Sequence, residues 1–407
     1  MLSDEQFGFS KGRSCVTQLL VTINDWLDSL DGGDPVDAIY LDLRKAFDTV
    51  SHRRLILKLS KYGVSGSLLR WITDFLTGRT QYVNINGNCS TTNDVTSGVP
   101  QGSVLGPTLF IYFINDLPET VKCKVKVFAD DTKAYCSVDK DENSKVFVQK
   151  CVDDLVDWSK RWKMEFNSLK CKVMHLGKDN PLHEYTIENG NERNTLETTV
   201  AEKDLGVIVD PDLNFDKHIT STVNKCRRIS GLIVRTMSNN SRDVMVPLFK
   251  ALIRPILEYG NAVWCPSLRK HCDLLESVQR QFTKKIIGLS HLDYKNRLMQ
   301  LGLPSLEYRR FRGDLIEVYK MMNGLYDPIV VNNLFSISNS DRTRGHNKKL
   351  VKKRTNTNTA LHFFSNRVVN SWNELPSQAV NASSINVFKN FIDDIYFEYQ
   401  FSTNLDL

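Results

Sequence analysis

Two adjacent aspartates between two short β-forming runs limit the fold of this chain more than any other feature. Val125–Phe128 precedes Asp130 and Asp131, and Thr132–Tyr135 follows them. Runs rich in β-branched and aromatic residues favour strands, and a short connection between two of them predicts a tight hairpin. The strands of a hairpin are antiparallel. The chain is therefore expected to build an antiparallel sheet with an acidic turn at its edge.

The pattern around this hairpin predicts an α+β fold. Apolar residues recur every three or four positions over 14–30, which predicts a helix. Val36–Leu43 is nearly continuous in apolar character and predicts a buried strand. Further helices are expected over about 46–61, 67–76, 107–117 and 147–162, and a further strand over 81–86. Elements in this order predict helices packed on an antiparallel sheet.

The second half of the chain has a different character. Helical stripes with clustered basic residues dominate from about residue 220, and an Asn-, Ser- and Thr-rich stretch lies near 327–359. A chain of 407 residues is long enough for two or three domains, and we expect them over 1–200, 201–330 and 331–407. The basic block Arg342–Arg354 predicts an RNA-binding segment, a nuclear localisation signal or a disordered charged loop.

Composition and charge narrow the class of protein. The net charge of +6 fits a nucleic-acid partner without requiring one. No apolar run approaches the roughly 20 residues that span a bilayer, and the first residues do not form a signal sequence. The nine cysteines include no Cys-x-x-Cys pair, so reduced, mostly buried thiols are expected. We therefore expect an intracellular protein, in the nucleus or cytoplasm, with no membrane partner.

Three carboxylates form the sharpest candidate site. Asp42 lies at the end of the first predicted strand, and Asp130 and Asp131 lie in the hairpin turn. If the hairpin packs beside that strand, the three carboxylates converge and repel one another unless cations compensate. Mg²⁺ prefers oxygen ligands and leaves positions open for phosphates, so two ions could serve a phosphoryl displacement. The alternative is that each aspartate is a helix cap or a solvated turn residue.

Three segments carry a family pattern in their order and spacing. They are VDAIYLDLRKAFDTV over 36–50, SGVPQGSVLGP over 97–107 and FADD over 128–131. Together they resemble the palm motifs of reverse transcriptases of non-LTR retrotransposons, the LINE-type, jockey-like group. Segments that begin at Gln6, Asn167, Asp204 and Trp372 are similar to the group's fingers, Asn-x-x-Lys, primer-grip and C-terminal tail segments. The resemblance covers nearly the whole chain.

This resemblance implies a fold, an activity and partners. The implied fold is a right-hand polymerase palm with an antiparallel sheet, partial fingers, a helical thumb and a helical C-terminal extension. Fingers and palm would occupy 1–200, primer grip and thumb 201–330, and a basic linker with the C-terminal helical segment 331–407. The implied activity is RNA-directed DNA polymerase, with dNTPs, an RNA template, a DNA primer and two Mg²⁺ ions. It implies no oligomeric state.

The resemblance also assigns roles around the carboxylates. Asp42 and Asp130 match the two principal metal ligands of the family, and Asp131 matches its third carboxylate. Phe47 matches a bulky residue under the nucleotide sugar that selects deoxynucleotides; the alternative is a plain core residue. Viral RNA-directed RNA polymerases tend to carry an aspartate at that position. Asp48 is expected to cap the following helix.

Three further residues are assigned roles outside the carboxylate cluster. Gln101 and Gly102 match the loop along the incoming nucleotide and template base; the alternative is a surface turn. Lys170 matches a lysine proposed to protonate the pyrophosphate leaving group in related polymerases, and the alternative is a solvated lysine.

Two pairs of residues are expected to contact nucleic acid. Lys11 and Arg13 lie near a glycine and could touch template phosphates, or form a solvated basic turn. Leu205 and Gly206 lie in the segment that resembles the primer grip.

The chain departs from the family pattern at its start. The family has a further fingers segment before the Gln6 run, and this chain begins only a few residues before it. No endonuclease domain or zinc knuckle is visible, so we expect an N-terminally truncated copy. A catalytically inactive nucleic-acid-binding remnant is therefore the main alternative function. A third hypothesis is an intron-type maturase, which the jockey-like tail disfavours.

Overall fold

The first half of the chain folds around a five-stranded sheet. The computed structural model describes residues 2–190, 192–338 and 345–403. A first compact unit contains the chain up to Gln18 together with Gly33–Val200, and a second contains Leu19–Gly32 together with the chain from Ala201. The elements up to residue 200 are α1 (Cys15–Gly32), β1 (Val36–Leu41), α2 (Ala46–Thr49), α3 (His52–Lys61), α4 (Gly66–Leu76), β2 (Thr80–Gln81), β3 (Asn84–Ile85), β4 (Asn88–Cys89), β5 (Asn93–Asp94), α5 (Leu105–Ile114), β6 (Lys124–Phe128), β7 (Asp131–Ser137), α6 (Glu142–Trp162), β8 (Lys172–Leu176), β9 (Thr186–Asn189), β10 (Glu192–Thr195) and β11 (Glu197–Thr198).

The strand order in this sheet is β11-β8-β1-β7-β6. β1 pairs antiparallel with β7 and β8, β6 pairs antiparallel with β7, and only the short β11 pairs parallel with β8. The register places Leu41 opposite Thr132, so the end of β1 lies beside the start of β7. The predicted antiparallel sheet and its hairpin are confirmed. The fold of this unit is α+β.

The core of the first unit lies between the sheet and its helices. Ile39 from β1, Val127 from β6 and Ala134 from β7 are buried in one cluster with Phe110 of α5 and Leu155 of α6. Each of these side chains is at most 2% exposed. Because α5 and α6 place long apolar faces on the sheet, burial of these side chains supplies most of the driving force for the unit.

Two predicted elements differ from the structure. The helix expected over 46–61 is two helices, α2 and α3, because the carbonyl of Val50 accepts the N–H of Gly98 at 2.8 Å instead of continuing the helical ladder. The strand expected over 81–86 is two separate two-residue strands. Its ladder is interrupted where the Val83 N–H donates to the Ser90 hydroxyl at 2.9 Å.

A buried polar network ties β1 to β8. Asp37 is 0% exposed, and its carboxylate receives the hydroxyl of Tyr185 at 2.6 Å and contacts His175 Nδ1 at 2.6 Å. Asn180 Nδ2 donates to the same carboxylate at 2.8 Å. A buried carboxylate is tolerated only when such partners replace its hydration. This network therefore stabilises the sheet at the end of β1 opposite to Asp42.

Cysteine pairing differs from the expectation in one place. Cys123, just before β6, and Cys151 in α6 form a disulfide, so the prediction that all nine thiols are reduced is wrong for this pair. The other seven cysteines are free, and of these Cys171 and Cys226 are buried.

The second unit is mainly helical. Its elements after residue 200 are β12 (Glu202–Asp204), β13 (Val207–Val209), α7 (Asp216–Thr236), α8 (Arg242–Leu248), a π-helical turn over Phe249–Ile253, α9 (Arg254–Glu258), α10 (Asn261–Trp264), α11 (Arg269–Thr283), α12 (Tyr294–Leu301), α13 (Leu306–Met322), α14 (Pro328–Leu334), α15 (Asn358–His362), α16 (Phe364–Arg367), α17 (Val369–Asn373), α18 (Ser377–Val380) and α19 (Ile385–Ile395). β12 and β13 form an antiparallel hairpin. α7 packs on α11, and α13 packs on α19, where Tyr319 stacks on Phe388 at 4.4 Å.

The described part of the basic block is folded. Residues 342–344 lie outside the described residues. Beyond them, Lys348 O accepts the indole N–H of Trp372 at 2.8 Å, and Lys353 pairs with Asp28 at 3.0 Å. The expectation of a disordered loop is therefore wrong for residues 345–354.

Candidate active site

The acidic turn follows from the hairpin register. Phe128 pairs with Asp131, so Ala129 and Asp130 form a two-residue connection between β6 and β7. Ala129 has a φ of +55°, in the left-handed region that a tight hairpin demands of its first central residue. Asp42 immediately follows β1, and the register that pairs Leu41 with Thr132 leads it toward the same edge. The local pairing therefore places all three aspartates at one end of the sheet.

Two of the three carboxylates interact electrostatically. Burial raises the pKa of Asp130 above its ordinary value, and the negative charge of Asp42 raises it further. Asp131 begins β7 and is exposed. Across the residues that the structure describes, no three His, Cys, Asp or Glu side chains are grouped closely enough to hold a metal ion by themselves. The site thus consists of a coupled pair, Asp42 and Asp130, with Asp131 beside it in the sequence.

The Asn-x-x-Lys segment is attached to the same strand end. The N–H of Asn167 donates to Asp42 O at 2.7 Å, and Lys170 Nζ lies 3.3 Å from Asp42 Oδ2. The Lys170 side chain is 66% exposed. The adjacent Cys171 thiol is buried, and burial raises its pKa to about 11, so it is protonated at neutral pH. Lys170 is consequently the one side chain of this segment that brings positive charge to the carboxylates.

Phe47 contacts α5 through its ring and the Gly-Val-Pro-Gln-Gly loop through its backbone. Its ring stacks on Phe110 with centroids 4.3 Å apart and an interplanar angle of 19°. Its carbonyl accepts the N–H of Val99 at 2.8 Å. The side chain is only partly buried, so one part packs on α5 while another part remains accessible.

Gln101 is linked to the same segment by a side-chain hydrogen bond. Gln101 Nε2 donates to Asp48 Oδ1 at 2.8 Å. Gly98, in the same loop, has a φ of +91° and no space for a side chain, because a Cβ there would lie 2.9 Å from Asp48 Cα. Asp48 lies within α2, and the N-cap position of α3 is occupied by Ser51. The expected helix-capping role of Asp48 is therefore wrong: it fixes Gln101. Gly102 is exposed with a φ of +78°.

The N-terminal basic residues have different surroundings. Lys11 is exposed. The Arg13 side chain is 5% exposed; its Nη1 donates to Gln6 O at 2.9 Å, and its guanidinium lies 5.1 Å from the centroid of the Phe7 ring. Arg13 therefore holds the N-terminal segment in place. No local sequence pattern indicates a role for the Gln6 side chain, which is buried and accepts the N–H of Ala129 in the acidic turn.

Leu205 and Gly206 form the turn of the second unit's hairpin. Both have positive φ, +44° and +89°. The hydroxyl of Tyr259 donates to Leu205 O at 2.8 Å, and a Cβ on Gly206 would lie 2.9 Å from Tyr259 Cε1. The Tyr259 side chain thus holds the turn in one conformation, and no local sequence pattern indicates this contact.

An antiparallel sheet backed by helices, with coupled aspartates at the ends of neighbouring strands, defines the class of right-hand polymerase palms. Residues 1–211 of the 407 match the family described as "Reverse transcriptase (RNA-dependent DNA polymerase)". The chain belongs to this family.

Two relatives show which group within this family the chain resembles. The chain is 31% identical over 299 residues to the "RNA-directed DNA polymerase from mobile element jockey" of Drosophila funebris, covering 70% of this chain and 32% of that protein. It is 28% identical over 303 residues to the "Probable RNA-directed DNA polymerase from transposon X-element" of Drosophila melanogaster, with the same coverage of 70% and 32%. The expected similarity to the jockey-like group is confirmed. The chain spans about a third of the length of these relatives, 32% in each.

One further comparison is with a solved structure. A solved structure of telomerase from Candida albicans, in complex with a fragment of telomeric RNA, aligns with a TM-score of 0.36 and 11% identity, covering 81% of this chain and 50% of that chain. In the part of the chain that the structure describes, none of the helices combines the length and the apolar character needed to cross a bilayer.

Proposed function

We propose that this chain is the polymerase core of an RNA-directed DNA polymerase, which extends a DNA primer on an RNA template by nucleotidyl transfer from dNTPs. The observation that carries the proposal is the register of β1 and β7, which brings Asp42 to the same end of the sheet as the turn that holds Asp130. The charge of Asp42 adds to the rise in the pKa of Asp130 that burial causes. Like charges held close in a partly buried position are costly unless a cation joins them. Family membership and the names of the relatives support the same reaction.

The donor chemistry fits Mg²⁺. Asp42, Asp130 and Asp131 offer hard carboxylate oxygens, and burial together with the nearby charge of Asp42 raises the pKa of Asp130. Mg²⁺ is commonly bound by one or two carboxylates together with substrate phosphates, so a closed three-residue cage is not required. Two bound ions would supply activation of the primer hydroxyl and neutralisation of the triphosphate. The protein's own contribution is to hold these carboxylates at the sheet edge.

Residues around the carboxylates are suited to select and orient the nucleotide. Phe47 is fixed by its stack on Phe110, so its accessible part presents a rigid surface that would exclude a 2′-hydroxyl. Gln101 and Gly102 lie on a loop fastened to the same segment through Asp48. Lys170 carries an exposed ammonium next to Asp42 and is proposed to donate a proton to the departing pyrophosphate.

Contacts to the nucleic-acid backbone are proposed on both units. Lys11 is exposed and available to a template phosphate. Arg13 acts on the same segment indirectly, through its hydrogen bond to Gln6 O. In the second unit, the turn at Leu205 and Gly206 exposes backbone that Tyr259 holds in a fixed conformation, which suits contact with a primer strand.

Primer extension tests this function. The full chain is incubated with a homopolymer RNA template, a complementary DNA primer, the matching dNTP and Mg²⁺. We expect extension by the wild type and a loss of at least about 100-fold in Asp130→Asn, because one carboxylate of the site is neutralised. Asp157→Asn, an exposed aspartate of α6, is the matched control and should extend as the wild type does.

The same preparations separate the alternative function. Binding of the primer–template duplex by the wild type, without extension at any Mg²⁺ concentration, would identify a non-catalytic nucleic-acid-binding remnant. Equal extension by wild type and Asp130→Asn would show that the reaction does not use this site.

A further inference from the structure

The N-terminal segment closes the edge of the sheet that carries the acidic turn. β6 is the last strand of the sheet, and Gln6 forms a parallel bridge with Val127 on its free side. The N–H of Phe7 donates to Val127 O at 2.8 Å, and the N–H of Val127 donates to Glu5 O at 2.9 Å. The segment therefore continues the hydrogen-bond pattern of the sheet for one residue pair, directly before the turn.

The Gln6 side chain extends this contact into the turn itself. Gln6 is 2% exposed, and its Oε1 accepts two backbone N–H groups, that of Gly8 at 2.7 Å and that of Ala129 at 3.2 Å. Ala129 directly precedes Asp130 and has a φ of +55°. Residues with a Cβ avoid this region, and they persist there only where surrounding contacts fix them. The amide oxygen of Gln6 is such a contact.

Gly8 allows this approach. A Cβ on Gly8 would lie 2.4 Å from Ala129 N and 3.1 Å from the carbonyl carbon of Phe128. Any side chain at Gly8 would therefore push the segment away from the turn. The close packing of Gly8 and the acceptor on Gln6 act on the same backbone group.

We infer that Gln6 is a positioning residue of the candidate metal site, acting through the Ala129 amide to set the backbone from which Asp130 projects. The inference rests on the proposed function, in which Asp130 holds Mg²⁺. Gln6 itself does not reach the reacting groups in this role; it fixes one conformation of the turn before any ligand binds, which is the way a supporting residue lowers the cost of assembling a site.

Three variants isolate this role. Gln6→Met has similar length but no acceptor, so the Ala129 N–H loses its partner and the strained φ loses its support. Adding Ala129→Gly should rescue the turn, because glycine adopts positive φ without a steric cost. Gln6→Glu retains an oxygen at the same position and should keep the amide protected, which provides an answer even if Gln6→Met does not fold.

The first measurement is amide hydrogen exchange on the metal-free full chain. Exchange in the peptide over 125–132 should be about 10-fold faster in Gln6→Met than in the wild type, the effect expected from loss of one hydrogen bond. Gln18→Met is the matched control: Gln18 is a buried glutamine of the same unit, and its side-chain amide has no hydrogen-bond partner among the described residues. It should leave exchange in this peptide unchanged.

The second measurement is the rise in melting temperature produced by Mg²⁺ alone. The Mg²⁺ concentration giving half of that rise should increase about 10-fold in Gln6→Met and return toward the wild-type value when Ala129→Gly is added. Merely structural damage would lower the melting temperature without shifting this concentration, and Ala129→Gly would not reverse it.

The two measurements distinguish failure of the inference from failure of the function. If exchange at the turn is the same in wild type and Gln6→Met, or if the Mg²⁺ response of a responsive wild type is unaffected, the positioning role is refuted and the proposed function stands. If Mg²⁺ does not stabilise the wild type at all, the proposed metal site is refuted. The positioning role of Gln6 is then refuted as well, even if hydrogen exchange at the turn is faster in Gln6→Met.

Discussion

Acid is expected to destabilise the second unit through one buried imidazole. His218 in α7 is 6% exposed, and its ring lies 5.0 Å from that of Trp264. Its Nδ1 accepts the N–H of Ile208 in β13 at 3.1 Å, which requires that this nitrogen be unprotonated. Burial lowers the pKa of His218 from 6.5 to about 4. Protonation would bury a charge and break the bond that joins α7 to the hairpin of Leu205.

The size of the effect follows from this pKa difference. Between pH 6.5 and about 4 the unfolded chain binds a proton that the folded chain does not, so stability falls as the pH falls through this range. Each unit of pKa difference corresponds to about 1.4 kcal/mol, so the full loss is about 3 kcal/mol, and about 2.5 kcal/mol of it is lost by pH ~4.5. The sign is that of a depressed pKa: the stabilisation is complete above pH 6.5 and absent below pH 4.

Urea unfolding at about pH 7 and about pH 4.5, followed by tryptophan fluorescence, measures this loss. His218→Asn keeps an acceptor near the position of Nδ1 and cannot be protonated there, so its loss between the two pH values should be smaller than that of the wild type by about 2.5 kcal/mol. Ile219→Val, at the next position of α7, should lower stability by about 1 kcal/mol equally at both pH values. If the wild type and His218→Asn lose the same stability on acidification, the buried imidazole is not the cause.

Three further predictions concern the first unit. Asp37→Asn should cost about 2–4 kcal/mol in urea unfolding at neutral pH, because Tyr185, His175 and Asn180 lose the buried charged carboxylate that they contact. An unchanged unfolding midpoint would refute this. Lys170→Met should change stability by less than about 1 kcal/mol, since the ion pair is exposed, yet lower the rate of nucleotide addition by about 100-fold; an unaffected rate would remove Lys170 from the mechanism. Phe47→Val should raise ribonucleotide incorporation relative to deoxynucleotide incorporation in the extension assay, and an unaltered ratio would reduce Phe47 to a packing residue.

The sheet could be predicted from the sequence because its signals are local. The β-forming runs around Asp130 and the continuous apolar run before Asp42 each specify a strand without reference to the rest of the chain. The short connection between β6 and β7 alone predicts that these two strands pair antiparallel. Strand β1 ends two residues earlier than predicted, at Leu41, because the backbone beyond it pairs with a different segment: Asp42 O accepts the N–H of Asn167, and Leu43 forms a bridge with Phe166.

The supporting contacts could not be predicted because they join residues that are distant in the sequence. The break at Val50 arises from a hydrogen bond to Gly98, and Asp48 holds Gln101 rather than capping a helix. Arg13 resembled a phosphate-binding residue by its position near glycine, but tertiary packing directs its guanidinium to backbone carbonyls. Local sequence patterns predict the helix or strand to which a residue belongs, but they do not predict its contacts with residues distant in the sequence.

In the first unit, the unfavourable features of Ala129 and Asp130 lie next to the residues that stabilise them. Asp130 is partly buried near another negative charge, and Ala129 holds a backbone conformation that an alanine rarely adopts. Neither feature stabilises the fold, and a hydrophobic or amide side chain at Asp130 would relieve the repulsion. Yet Gln6, through its amide oxygen, and Lys170, through its ammonium, maintain and partly neutralise this arrangement. Local strain that surrounding residues preserve is expected where a ligand completes the site, and these contacts support the proposed cation at Asp42 and Asp130 without reference to sequence similarity.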